Sequence, residues 1–214
     1  MSELESIFVF GGGGHGRSVS QVIRREGRYR VACVLDDDDQ VKPSLSGAPW
    51  IGGRGALATL ARDGITAGFV AIGNNSDREL LTMLVESAGL SLVTLVDPAA
   101  VVAEDARVGE GTVLMPFSLA GAGSQLGRGV ILNTSATVDH DCTVDDYAHV
   151  AVGAHLTGGC RLGARSFVGC GAVLGRPVAI GERAIVGAGA AVIHDVDDGV
   201  VVAGVPARKV SSSA

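Results

Sequence analysis

Two rhythms of apolar and polar positions divide this sequence. Over the first 98 residues short apolar runs alternate with amphipathic stretches. "IFVF" (7–10), "VACVL" (31–35), "GFVAI" (68–72) and "LVTLV" (92–96) have the length and composition of buried strands. "RSVSQVIRREG" places Val19, Val22 and Ile23 on one helical face, and helical patterns recur over 54–63 and 76–88. Strand and helix in alternation predict a small parallel sheet with helices on its faces, and Pro98 in "VDPAA" punctuates its end.

From residue 101 the period becomes six. The chain runs VVAEDA, RVGEGT, VLMPFS, LAGAGS, QLGRGV, ILNTSA, TVDHDC, TVDDYA, HVAVGA and on to AVIHDV at 191–196. The second place of every hexad is Val, Leu or Ile except for Ala120, and the sixth is always Ala, Ser, Thr, Cys or Val. A flat strand has period two and would not hold one large and one small inward residue fixed every six. A coil with three flat faces would, and hexapeptide repeats are a β-helix signature. Sixteen hexads in unbroken register predict about five turns, roughly 25 Å tall at the spacing between strands. Residues 18 apart then stack on successive coils.

Composition agrees with this division. The chain has 32 glycines and only 4% aromatics, which suits a tightly turned β-structure with small inward side chains. Its net charge of -6 supplies no basic stripe for a nucleic-acid partner, while leaving room for a small anionic ligand. "MSELESIFVF" lacks the pattern of a secretory signal, and no run approaches the ~18 apolar residues of a membrane span. Cys33, Cys142, Cys160 and Cys170 show neither CxxC nor zinc-finger spacing. The expectation is a cytoplasmic protein with reduced thiols and no metal. Cys142 and Cys160, both at sixth places one coil apart, are expected to be stacked core thiols.

Three local stretches stand out on this frame: "GGGGHG" after the first strand, "NTSATVDHDC" in the hexads, and "GVPARKV" at the end. With the hexads, they give the chain a resemblance to the left-handed β-helix acyltransferases. The order of a Rossmann-like unit and then a prism is similar to the bacterial nucleotide-amino-sugar N-acetyltransferases of surface-glycan synthesis and their sialic-acid O-acetyltransferase relatives. The expected architecture is a Rossmann-like sugar-nucleotide domain over 1–98 and a left-handed β-helix, binding acetyl-CoA and carrying catalysis, over 99–214. The resemblance further implies direct acetyl transfer to a UDP- or GDP-linked 4-amino sugar, in a homotrimer with sites between subunits.

His140 takes the fourth place of its hexad, outside the inward second and sixth, so it rides on an intact repeat. Asp141 follows it and can fix its tautomer. The family match makes His140 the general base. The acid after it is often Glu in the family, so Asp141 is one methylene short. By the same resemblance Asn133 matches an active-site asparagine, and His149 belongs to acetyl-CoA binding. Gly158 lies one coil from His140, where a bare backbone N–H can serve as an oxyanion donor. His155 has no match. The spacing of the three histidines fits no zinc pattern. Arg208 and Lys209 near the end can approach an anion, and in the resembling enzymes this ending lies beside coenzyme A.

In the first half, Gly11, Gly13 and Gly16 satisfy GxGxxG between a strand and a helix, the context in which a helix start receives a diphosphate. Gly13, Gly14, His15 and Gly16 are therefore expected at the phosphates, His15 by its match to the family's loop histidine. Asp36 and Asp37, ending the second strand, are placed to bond a ribose hydroxyl or the base. Asn74, in "IGNNSDR", resembles the next sugar-nucleotide loop. Two rivals stay open at this stage: O-acetylation of a sialic-acid-like sugar, and a non-catalytic sugar-nucleotide scaffold.

Overall fold

The computed structural model describes residues 4–40, 47–175 and 177–212. The chain divides into two compact units, Met1–Pro98 and Ala99–Ala214. The first unit runs β1 (Glu5–Phe10), α1 (Gly14–Glu26), β2 (Tyr29–Leu35), α2 (Leu57–Leu60), β3 (Ala67–Val70), α3 (Asn75–Ser87), β4 (Ser91–Leu92) and β5 (Leu95–Val96). Its sheet has the order β2-β1-β3-β4, with every pairing parallel. Phe8, Phe10, Leu35, Leu60, Val70 and Val85 fill the core between sheet and helices.

β2 and β3 lie on opposite sides of β1, so the chain reverses its direction of winding there. A crevice for ligands forms outside the carboxyl ends of strands at such a point. Gly11 turns the chain into it with φ 109°, and a Cβ at this position would sit 2.6 Å from the Ala71 carbonyl oxygen. Only glycine meets both demands.

Two expectations need correction here. The apolar run 92–96 is not one strand: β4 stops at Leu92, the bond from Val93 N–H to the Gly68 carbonyl is the last recorded along β3, and β5 starts only at Leu95. The 54–63 pattern yields only a short 3₁₀ turn at Arg54–Ala56 followed by the four-residue α2.

In the second unit sixteen two-residue strands, β6 (Val101–Val102) to β21 (Ala191–Val192), recur at the first two places of every hexad. They stack in parallel into three faces. One holds β7-β10-β13-β16-β19, and a second holds β6-β9-β12-β15-β18-β21. The third runs from β8 through β11, β14, β17 and β20 to β22 (Val200–Ala203) and β23 (Arg208–Ser212). This is the β-helix that the period of six predicts. Second-place side chains from Leu114 to Val192 are buried, as are sixth-place ones from Thr112 to Val196. Corners are made at the fifth place, which stands in the left-handed region even at Phe117, Ser135, Asp141, Tyr147, Arg165 and Arg183. β23 pairs antiparallel with β22 and closes that edge of the sheet.

Cys142 and Cys160 are buried in the prism core. Their mutual hydrogen bond and burial push the Cys142 thiol well above the usual range. Among the described residues no helix is long and apolar enough to cross a membrane, and no group of three or more His, Cys, Asp or Glu is arranged to hold a metal ion.

Candidate active site

His140 and Asp141 occupy the corner between β12 (Thr137–Val138) and β13 (Thr143–Val144). Asp141 takes φ 57°, and from there its Oδ2 lies 2.9 Å from His140 Nδ1. An ionised carboxylate only accepts, so the imidazole proton sits on Nδ1 and Nε2 presents a bare lone pair. Asp139 fixes the other end of the residue, its Oδ1 accepting the His140 backbone N–H at 2.8 Å. The hydrogen bond from Asp141 and the charge of Asp139 raise the His140 pKa above its ordinary 6.5. The side chain is 60% exposed, so water reaches this imidazole within one chain.

Gly158 lies on the neighbouring coil, as the 18-residue spacing requires. Its bare face makes room for a neighbouring side chain. A Cβ there would fall 2.3 Å from His140 Nε2 and 2.4 Å from Cε1, so the gap left by the missing side chain houses the imidazole itself. The ladder hydrogen bonds on either side come from Thr157 N–H to Leu174 and from Gly159 N–H to His140, and they pass over the Gly158 N–H.

Asn133 and His149 meet on the third face of the prism, with Asn133 Nδ2 3.1 Å from His149 Nε2. The sequence places His149 outside the prism core, and it is, yet the ring is buried. It packs edge-on against Phe167 at 5.1 Å, in the outer column Ile131, His149, Phe167 that the parallel register stacks. Asn133 itself is not a left-handed corner; Ser135, two residues on, takes that conformation. His155 is exposed on the second face and shares a 2.9 Å hydrogen bond with Thr137 Oγ1. His140 with Asp141 and Gly158, and Asn133 with His149, thus form two half-sites on different parts of the prism surface. At the end of the prism Arg208 and Lys209 line a cleft of about 290 Å³ with Ile193, His194 and Asp195. His194 was not singled out in the sequence, where it looks like one more outward residue of a hexad.

In the first unit α1 begins at Gly14, inside the glycine loop, with Gly13 at its N-cap and no side chain capping it. A helix start without a side-chain cap has the geometry that can receive an anion. Gly16 is buried at the start of this helix. Burial first, then the charge of Arg78, lower the His15 pKa to about 4, so the ring is neutral at pH 7. Its Nε2 is buried and makes no hydrogen bond among the described residues. Arg78 escaped the sequence reading. It is a fully buried guanidinium that ties the loop before α3 together through the Ile72 carbonyl, the Gly73 carbonyl and Asn75 Oδ1.

Three expected ligand contacts are already engaged within the protein. Asp36 accepts the backbone N–H groups of Gly12 at 2.7 Å and Asp38 at 3.0 Å, which steadies the glycine loop. Asp37 accepts from Arg54, through the backbone N–H at 2.8 Å, Nε at 3.0 Å and Nη2 at 2.7 Å. Asn74 is the N-cap of α3, its Oδ1 accepting from Ser76 and Asp77 N–H. Each carboxylate or amide satisfies a backbone donor created by the fold, a demand invisible in the sequence.

The residues 6–85 match the PglD N-terminal domain. A UDP-N-acetylbacillosamine N-acetyltransferase of Bacillus subtilis (strain 168) is 36% identical over 117 residues, 52% of this chain and 52% of that protein, so the match spans about half its length. A GDP-perosamine N-acetyltransferase of Escherichia coli O157:H7 is 31% identical over 158 residues, covering 70% of this chain and 69% of that one. The crystal structure of PerB from Caulobacter crescentus, in complex with CoA and GDP-perosamine, is 38% identical, with a TM-score of 0.93 over 98% of this chain and 99% of its own.

Proposed function

The chain belongs to the family of nucleotide-amino-sugar N-acetyltransferases, and we propose that it moves the acetyl group of acetyl-CoA directly onto the amine of a nucleoside-diphosphate-linked 4-amino sugar, with His140 as general base. The observation that carries this reading is the His140 corner: a histidine with its proton held on Nδ1 by Asp141 and its Nε2 lying over the bare face of Gly158. As the sugar nitrogen attacks the thioester carbon, Nε2 takes its proton. The tetrahedral oxyanion collapses, the C–S bond breaks, and the thiolate of CoA recovers the proton from the imidazolium. Gly158 N–H is the donor we assign to the acetyl oxygen, with the Asn133–His149 pair beside the acetyl group. Arg208 and Lys209 are assigned to the phosphates of CoA. The start of α1 and His15 Nε2 are assigned to the diphosphate of the sugar nucleotide.

The test is thiol release from acetyl-CoA with a panel of UDP- and GDP-linked 4-amino sugars and free sialic acids. Release with a nucleotide-linked amine supports the reading. Release only with a free sialic acid moves the protein to O-acetylation, and binding without release makes it a scaffold.

A base raised by two carboxylates is protonated over a wider acid range than an ordinary histidine. The acid limb of kcat/KM is therefore expected to have its midpoint above 6.5, with activity rising as pH rises through it. Asp141→Asn removes the hydrogen-bonding charge and is expected to shift that limb to lower pH while lowering kcat. A pH–rate profile of both proteins checks the direction; an unmoved limb would detach Asp141 from the base.

The two half-sites belong to a single reaction only if copies of the chain share them. The corner with Asn133 and the corner with His140 flank the second face of the prism, and several exposed apolar side chains lie on and beside that face: Val101 and Val173 on it, Phe117 and Val152 at its edge. Such a patch marks an interaction surface. We assign it to neighbouring copies in a homotrimer, each bringing its His140 corner against the Asn133–His149 face of the next. Sedimentation is expected to give about three times 21.6 kDa. A monodisperse monomer would separate the base from the acetyl group.

A further inference from the structure

The glycine loop leads to a cleft of about 230 Å³ at the carboxyl ends of the strands. Phe10, Ile72, Leu80 and Leu81 give it apolar walls, and Asp36, Asp37, Arg54 and Asp77 are its polar members. Asp36 also lines the cleft while accepting the Gly12 N–H, so the cleft continues from the loop assigned to the diphosphate. A flat heterocycle held by apolar walls and read by a few polar groups suits such a space. A whole sugar nucleotide is too large for it.

Arg54 is fixed in an unusual way for an exposed arginine. Its Nε and Nη2 both bond Asp37 Oδ2, and its own backbone N–H bonds Asp37 Oδ1. Nη1, with two N–H groups, makes no hydrogen bond among the described residues. The Asp77 carboxylate, on the first turn of α3, makes no side-chain hydrogen bond among the described residues and lies within the field of Arg54. The cleft therefore presents the free edge of a pinned guanidinium, Nη1–H beside the second Nη2–H, and the Asp77 carboxylate, while Asp36 and Asp37 are held by Gly12 and Arg54.

We propose that Arg54, held by Asp37, selects the nucleobase of the substrate, and that the base it selects is guanine. This rests on the reading of the substrate as a nucleotide-linked sugar. Guanine offers O6 and N7 as paired acceptors to a guanidinium, and N1–H and N2–H donors to a carboxylate. Adenine places an N6 donor where Arg54 needs an acceptor, and cytosine does the same with N4. Uracil presents O4 alone to the guanidinium.

The experiment is calorimetric titration of GDP, UDP, ADP and CDP into the wild-type protein, Arg54→Ala and Asp37→Asn. GDP is expected to bind at least about tenfold tighter than ADP or CDP, with UDP between. Arg54→Ala is expected to bring GDP down to the ADP level and leave ADP unchanged. Asp37→Asn frees the guanidinium and should give an intermediate preference. Arg54 is exposed, and thermal melting checks that the variants stay folded. UDP binding tightest, ADP equal to GDP, or Arg54→Ala weakening all four alike would overturn the assignment while leaving the acetyltransferase reading intact. Failure of every nucleoside diphosphate to bind would overturn both.

Discussion

Replacing His140 with alanine is expected to lower kcat by about 10²- to 10⁴-fold while the affinities for CoA and for the nucleotide sugar stay within a factor of a few. The amine must lose a proton as it attacks, and Nε2 is the group we assign to receive it. Nothing nearby replaces it. Asp139 is committed to the backbone N–H of His140, and Asp141 reaches only the Nδ1 side of the ring. His155 lies on the adjacent coil but is tied to Thr137. His140→Asn keeps a side chain that Asp141 can hold but has no basic nitrogen, so it is expected to fall as far as alanine. Because the side chain is exposed and outside the prism core, both variants should melt close to wild type. Stopped-flow thiol release beside equilibrium binding separates the two effects. A variant with wild-type kcat would reduce the histidine of "TVDHDC" to an ornament on a repeat.

Much of this site could be read in the sequence, and the reason is mechanical. Every coil must fill the same triangular interior, so places two and six repeat wherever the prism continues, and they place any other residue by arithmetic. That is how His140 and Gly158 could be put on adjacent coils. Exposure is another matter. His149 sits at an outward first place, yet Phe167 above it and Asn133 beside it enclose the ring. The column depends on large first-place residues coinciding on one face. The left-handed fifth place was legible only where glycine marks it; Asp141 hides the same conformation behind a Cβ.

The first unit was less legible at the level of side chains. A strand, a glycine loop and a helix in succession mark the end we assign to the phosphates, because the glycines answer to backbone geometry. Asp36, Asp37 and Asn74 answer to backbone N–H groups from elsewhere in the chain, and Arg54, 17 residues after Asp37, carries no periodic mark. Arg78 looks like a surface residue of an amphipathic helix, and its burial follows from three acceptors that appear only once the loop before α3 has closed.

Gly158→Ala tests the same base without altering it. An alanine Cβ would stand 2.3 Å from Nε2, 2.4 Å from Cε1 and 2.9 Å from Cδ2 of His140, so the ring must move by about 1 Å or more. A displacement of that size near the chemistry costs about 10²-fold. Gly158 has no positive φ, so alanine imposes no backbone strain, and the crowded group is an exposed ring free to swing outward. Kcat is therefore expected to fall about 10²-fold with little change in melting temperature. As the ring swings it leaves Asp141, and the acid limb of the pH profile should drop toward an ordinary histidine. The decisive comparison is the double variant. If the glycine acts through the histidine, Gly158→Ala adds nothing to His140→Ala. If its main contribution is the backbone N–H at the acetyl oxygen, the two losses multiply, and the slot for the imidazole would be a secondary feature of this corner.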